Sequence, residues 1–302
     1  MLSERGKTRP IDAPHILDRQ VYKALTENVL LPLYKPDMIY NNGASLKGKG
    51  LSFSQRMLTR DLQSFVRRYG WNGHILLLDL KQFFPSIPHW ALLDRHKKLL
   101  LDAHLKQIAD KVVSSNGRDL GMPLGVEPSQ IEMVSMLSAF DNYIKCQLRI
   151  RHMGHYMDDY YLIIPPDRNV REVIAAVMQK ADEVGITVST RKTKVITVGR
   201  PFRYCKVKYT LTKTNAVVIN GCRDAMKRYR RKLKAFAHKL SEKKMDISDL
   251  WSSVNSVLAY YRRYHDHGRL LKARRLFYAI FGFEANYNEF IKRCRHNEIC
   301  SA

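Results

Sequence analysis

Three carboxylates stand where they could do joint chemistry. Asp79 closes the apolar run Ile75-Leu76-Leu77-Leu78, and Asp158 and Asp159 sit side by side about 80 residues later, among the β-favouring residues Tyr156, Tyr160, Tyr161, Leu162 and Ile163. A charge at the end of a buried strand costs several kcal/mol unless it is exposed or compensated by a cation. Brought together alone, the three acids repel one another. With two magnesium ions bound, or manganese in their place, the repulsion becomes a binding site. Such a pair of ions activates a 3′-hydroxyl, stabilises in-line attack at an α-phosphate and neutralises departing pyrophosphate, so nucleotidyl transfer is the chemistry this grouping serves best.

The elements that must position the acids follow from hydrophobic period. Val21, Leu25, Val29 and Leu33 predict a helix ending near Pro32 or Pro36, and residues 53–69 predict another, closed by Gly70. His74 to Leu80 then reads as a buried strand with Asp79 at its end, and Asp158-Asp159 as the turn of a β-hairpin. Between them lie a helix from Pro88 to Leu101 and a loop, Gly121 to Gln130, feeding a helix from Ser129, its cap, to about Ile150. A helix from Val170 to Val184 ends at Gly185. Strands are expected at Ile186–Val188, through Phe202–Val207 and at Val217–Ile219. Strands interspersed with helices predict an α+β layer structure.

Composition sets the partners. The 302 residues are 45% hydrophobic and 26% charged, enough for a sizeable core in one large or two modest domains, which excludes disorder as the main state. Lys and Arg number 52 against 28 Asp and Glu, for a net charge of +24, and a phosphate backbone neutralises such an excess. Residues 221–302 hold nineteen Lys and Arg against eight Asp and Glu, and their period turns helical throughout, so a boundary is drawn at 220/221. There Met226, Tyr229, Leu233, Phe236 and Leu240 form one apolar stripe. Lys227, Arg228, Arg230, Arg231 and Lys234 cover the rest of that helix, as a solvated face or as a nucleic-acid grip. The loop Asn41 to Gly50 combines permissive glycines with Lys47 and Lys49, which suits close approach to phosphates or an ordinary solvated turn.

Five cysteines and no apolar leader suggest a reduced, cytoplasmic protein, and no run is long enough to span a membrane. Cys294, His296 and Cys300 are read as unpaired side chains, because a structural zinc site takes four ligands.

Tyr156-Met157-Asp158-Asp159 resembles the catalytic turn of reverse transcriptases, the bacterial ones in particular. It follows Asp79-Leu80-Lys81-Gln82-Phe83-Phe84, which is similar to that family's metal-binding strand motif, at the expected distance. The resemblance covers nearly the whole chain. It implies a right-hand polymerase: fingers and palm over residues 1–220, with an antiparallel palm sheet packed on helices, and an all-helical basic thumb over 221–302. Asp79, Asp158 and Asp159 would bind the two metal ions. Phe84 would close against a ribose 2′-hydroxyl, with core packing as its other role. Lys47 or Lys49 would meet the triphosphate, and Lys192 would protonate pyrophosphate. The Gly121-to-Gln130 loop, with Leu124, Gly125 and Gln130, would contact nucleotide and template. Tyr156, Met157, Phe202 and Tyr204, with Lys227, Arg228 and Arg231, would hold primer and template.

The implied partners are an RNA template, a DNA or RNA primer, the RNA-DNA hybrid and dNTPs, with an accessory protein or a second copy of the chain in addition. Leu124 with the terminal Gln130 resembles the enzymes of diversity-generating retroelements, although the segment Phe202 to Lys206 lacks the usual primer-grip Phe-Leu-Gly. A prophage type, or an antiviral-defence reverse transcriptase that makes DNA from a bound non-coding RNA or without a template, is the rival within the class. A catalytically silent RNA-binding scaffold and an RNA-dependent RNA polymerase are the rivals outside it. No nuclease segment is expected after residue 221.

Overall fold

The run before Asp79 forms a central strand covered on both faces. The computed structural model describes residues 2–4, 7–9, 11–242, 244–245 and 247–290. The chain packs as two units, residues 1–200 and 201–302.

The first unit opens with the hairpin β1 (Leu2–Glu4) and β2 (Lys7–Arg9), then α1 (Ile16–Leu25). The chain continues through a π turn at Thr26–Leu30 into α2 (Leu31–Tyr34). Pro32 falls in the first turn of α2, where its missing N–H costs nothing, so helical backbone extends past it. α3 (Leu51–Tyr69) stops at Gly70, whose φ of 61° suits a residue without a Cβ.

β3 (His74–Asp79) leads to α4 (Phe83–Ser86), α5 (His89–Leu99) and α6 (Ala103–Ser114). The long helix expected from Ser129 is instead α7 (Glu127–Met136), α8 (Ser138–Asn142) and a π turn at Tyr143–Gln147. Pro128 occupies the first turn of α7, so the helix starts before Ser129, which is buried inside it rather than capping it. β4 (His152–Tyr156), β5 (Asp159–Ile164), α9 (Val170–Glu183) and β6 (Lys194–Thr197) complete the unit.

The four longer strands form an antiparallel sheet in the order β4-β5-β3-β6, with Leu76 opposite both Leu162 and Val195. Met133, Met136, Phe140, Val173 and Val177 from α7, α8 and α9 share one core with Leu76, Leu78, Tyr160 and Leu162, while α3 packs on β4 and β5. With both faces covered, β3 and β5 read as continuous apolar runs instead of alternating. The strand expected at Ile186–Val188 is only a bridge from Val188 to Leu80. Backbone groups on either side of it bond to the helix end and to the end of β3: Ile186 N to Ala181 O at 2.9 Å, and Ser189 N to Asp79 O at 2.8 Å.

The second unit is a meander of β7 (Phe202–Tyr204), β8 (Val207–Leu211) and β9 (Val217–Gly221) with α10 (Arg223–Ser241), α11 (Ile247–Arg263) and α12 (His267–Phe281). Tyr229, Leu233, Leu240, Val254, Leu258 and Phe277 fill its core. The Tyr260 hydroxyl accepts from Cys222 N at 2.9 Å and donates to Lys206 O at 2.8 Å, tying α11 to this sheet. Helices and sheet therefore group together, and the division falls at 200/201, whereas composition had drawn it at 220/221.

Among the described residues no helix is long and apolar enough to cross a membrane, and Cys146, Cys205 and Cys222 are free thiols. Cys294, His296 and Cys300 lie outside the described residues.

Candidate active site

Asp79 ends β3 and Asp159 begins β5, directly opposite each other in the ladder. Tyr156 pairs with Asp159 on the other side, which leaves Met157 and Asp158 as a two-residue hairpin turn. Such a turn needs left-handed backbone at its first position, and Met157 supplies it with φ 53° at a cost of about 1–2 kcal/mol for a side chain with a Cβ. Leu80 N bonds to Asp158 O at 3.1 Å, fixing the turn against the end of β3.

A cleft of about 1430 Å³ opens over this junction. Asp79, Met157 and Asp158 line it, as do Phe84, Leu124 and Lys192. Lys192 Nζ donates to both oxygens of Asp79, at 2.6 and 2.8 Å. The strap that carries it is zipped to β3 through Lys81 N to Thr187 O at 2.7 Å and Ser189 N to Asp79 O at 2.8 Å. Phe84 is held by Met122 N bonding to its carbonyl at 3.0 Å. Gly121, with φ 85°, allows that approach, since a Cβ there would lie 2.9 Å from Pro85 O. Asp12 N bonds to Leu124 O at 2.7 Å, and a Cβ on Gly125 would meet Asp12 O at 2.5 Å, so only glycine fits beneath that crossing.

Other residues singled out by sequence sit elsewhere. Asp159 and Tyr156 are half-buried and do not line the cleft, and neither does Gly125. Gln130 is exposed on α7. Lys47 is exposed on its loop, while Lys49 donates to Tyr40 O at 2.6 Å and lies over the Tyr40 and Phe53 rings. Burial, and then the charge of Lys35, hold the Lys49 ammonium below its usual pKa. Phe202 and Tyr204 are buried, Phe202 stacking on Tyr209, so the exposed side chain of that strand is Arg203. Lys227, Arg228 and Arg231 are exposed on α10, opposite the buried Tyr229 and Leu233.

The cleft also has basic walls that sequence reading missed: Lys81, Arg118 and Arg191. Lys81 and Arg191 could have been found as neighbours of Asp79 and Lys192; Arg118, in a connecting loop, gave no signal. Among the described residues no set of three His, Cys, Asp or Glu side chains is gathered as a metal centre. Asp79 and Asp158 nevertheless offer hard oxygen ligands to one cleft, and the Lys192 ammonium already stands as a cation on Asp79. Magnesium is commonly held by one or two carboxylates together with substrate phosphates, so this donor set fits it.

The antiparallel sheet thus brings a strand-end carboxylate against an acidic hairpin beside a basic cleft. The chain belongs to the reverse transcriptase (RNA-dependent DNA polymerase) family, whose profile matches residues 3–249. No curated protein matches it. Among solved structures it is similar to apo telomerase from Candida tropicalis, at 14% identity and TM-score 0.51, covering 93% of this chain and 54% of that one. A telomerase from Candida albicans in complex with a telomeric RNA fragment aligns at 11% identity and TM-score 0.48, covering 95% and 57%. The chain thus spans about half the length of these telomerases.

Proposed function

We propose that the chain is an RNA-directed DNA polymerase that adds dNTPs to a primer 3′-hydroxyl, copying a dedicated template RNA of a bacterial retroelement. The observation that carries this reading is that Asp79, Asp158, Lys192 and Phe84 line one cleft in a chain of the reverse transcriptase family. Asp79 and Asp158 would hold the magnesium ions, with Asp159 behind them in the ladder. When bound, those ions supply Lewis-acid stabilisation of the attacking and leaving oxygens.

The chain's own groups do the rest. Lys192, on Asp79, gives a proton to departing pyrophosphate. Phe84 crowds a ribose 2′-hydroxyl and favours deoxynucleotides. Lys81 and Arg191 lie in the same cleft and attract the triphosphate, with Lys47 and Lys49 serving from the fingers loop. Lys227, Arg228 and Arg231 on α10 pair with the backbone of the hybrid. The aliphatic Leu124 in the cleft supports the diversity-generating type over the antiviral-defence one.

The test is extension of an RNA-templated primer with magnesium. Template-dependent incorporation of dNTPs in strong preference to rNTPs is expected. Incorporation of rNTPs at equal rates would move the reading to an RNA polymerase, and no incorporation with retained RNA binding would leave a silent scaffold.

A further inference from the structure

Directly beneath the hairpin turn lies a buried polar group that the reaction chemistry above leaves unused. His155, on β4, is 0% exposed, and its Nδ1 donates to the carbonyl of Met157 at 3.1 Å. A carbonyl can only accept, so Nδ1 carries the hydrogen. The other ring nitrogen, Nε2, lies 3.0 Å from Oδ2 of Asp141, itself 2% exposed. Oδ1 of Asp141 accepts from the Tyr160 hydroxyl at 2.8 Å. Tyr160 is the ladder partner of His155, and the two rings stack with centroids 4.6 Å apart. Phe140 closes the other side edge-on against Tyr160 at 5.5 Å.

Burying a carboxylate, an imidazole and a phenol among apolar side chains is costly unless each is satisfied, and an apolar trio would fill the same core more cheaply. What the trio does that apolar residues cannot is bond to the backbone of the turn. Met157 is held in left-handed backbone that its side chain disfavours, and its carbonyl immediately precedes Asp158, which faces the cleft. We propose that His155, oriented by Asp141 and Tyr160, is a positioning residue that holds the Met157-Asp158 turn in its left-handed form and thereby aims the Asp158 carboxylate into the cleft. The inference rests on the polymerase reading of that cleft.

Two substitutions separate the two ends of the ring. In His155→Asn the amide nitrogen takes the place of Nδ1 and bonds to the Met157 carbonyl. In His155→Gln the amide reaches toward Asp141 and leaves the turn unbonded. Incorporation by H155Q is expected to fall on the order of 10–100-fold in kcat, the scale of a misplaced catalytic group, with KM for dNTP within about threefold of the parent. H155N is expected to retain activity within about threefold. Crystal structures of the variants give a readout independent of activity: φ of Met157 stays positive in H155N and relaxes to a negative value in H155Q. Equal kcat in the two variants, or a Met157 φ that stays positive in H155Q, overturns the proposal. An inactive parent chain would instead count against the polymerase reading, which keeps the two failures distinct.

Discussion

The ammonium of Lys192 sits astride both carboxylate oxygens of Asp79, 2.6 and 2.8 Å away, although 113 residues separate them in sequence. The contact places the proposed proton donor on the proposed metal ligand. Lys192→Ala is expected to slow single-turnover dNTP incorporation at least 100-fold, as for loss of a general acid, with RNA affinity unchanged. Because Asp79 is only 15% exposed, removing its ammonium partner should also lower stability, by about 1–3 kcal/mol. Quench-flow kinetics beside thermal melts check both halves.

Phe84 is the proposed sugar discriminator. Crowding of a bulky side chain against one hydroxyl is worth about 1–3 kcal/mol, so Phe84→Ala should relax the dNTP-over-rNTP preference by roughly 5- to 150-fold. Competition assays with matched dNTP and rNTP read the ratio of kcat/KM directly, and an unchanged ratio would reduce Phe84 to a packing residue.

Stability should depend on pH through His96. Its ring is fully buried, with Nδ1 2.7 Å from Asp110 Oδ1 and Nε2 3.0 Å from Glu132 Oε1. Burial alone would lower its pKa, but the hydrogen bonds and charges of Glu132 and then Asp110 outweigh it and raise the value above that of a free imidazole. A raised folded-state pKa means stabilisation that is fully present below about pH 6.5 and is lost as pH climbs through the folded value. Melting temperature should therefore decline from pH 6 toward alkaline pH, and His96→Gln should flatten that decline. A parent protein with a flat profile would contradict the assignment.

Binding to RNA-DNA hybrid should weaken steeply with salt. Each of Lys227, Arg228 and Arg231 that pairs with a phosphate should contribute about 1 to the slope of log affinity against log salt. The triple alanine variant, titrated from low to physiological salt, should lose that much per residue. An unchanged slope would show that this face of α10 stands clear of the nucleic acid.

Much of this site could be read along the chain, because its key signals are local. An acid terminating four aliphatic residues marks a strand end, and the acidic pair Asp158-Asp159 between aromatic β-formers marks a turn; β3 and the β4–β5 hairpin follow, with the turn one residue earlier, at Met157-Asp158, because Asp159 pairs with Tyr156 in the ladder. Phe84 reaches the cleft because it follows the end of β3 by five residues, and Leu124 because the loop that carries it bonds to Phe84 through Met122 N. What stayed hidden depends on long-range packing. Asp141 finds His155 and Tyr160 only once α8 lies across the sheet, and Glu132 finds His96 and Tyr34 only once α7 packs against α5 and α2. Ser129 carried a capping signal that Pro128 overrode. The basic composition after residue 221 concealed that β7, β8 and β9 pack with the helices following them.

Asp158, presented by the Met157 turn beside Asp79, is the carboxylate proposed to be required for nucleotidyl transfer. Asp158→Asn keeps the shape of the side chain and removes its charge. Measured with an RNA template, a primer, dNTPs and magnesium, it should abolish incorporation while leaving RNA affinity within about twofold of the parent, because the change removes no cation that pairs with phosphate. Sustained synthesis by that variant would contradict the account.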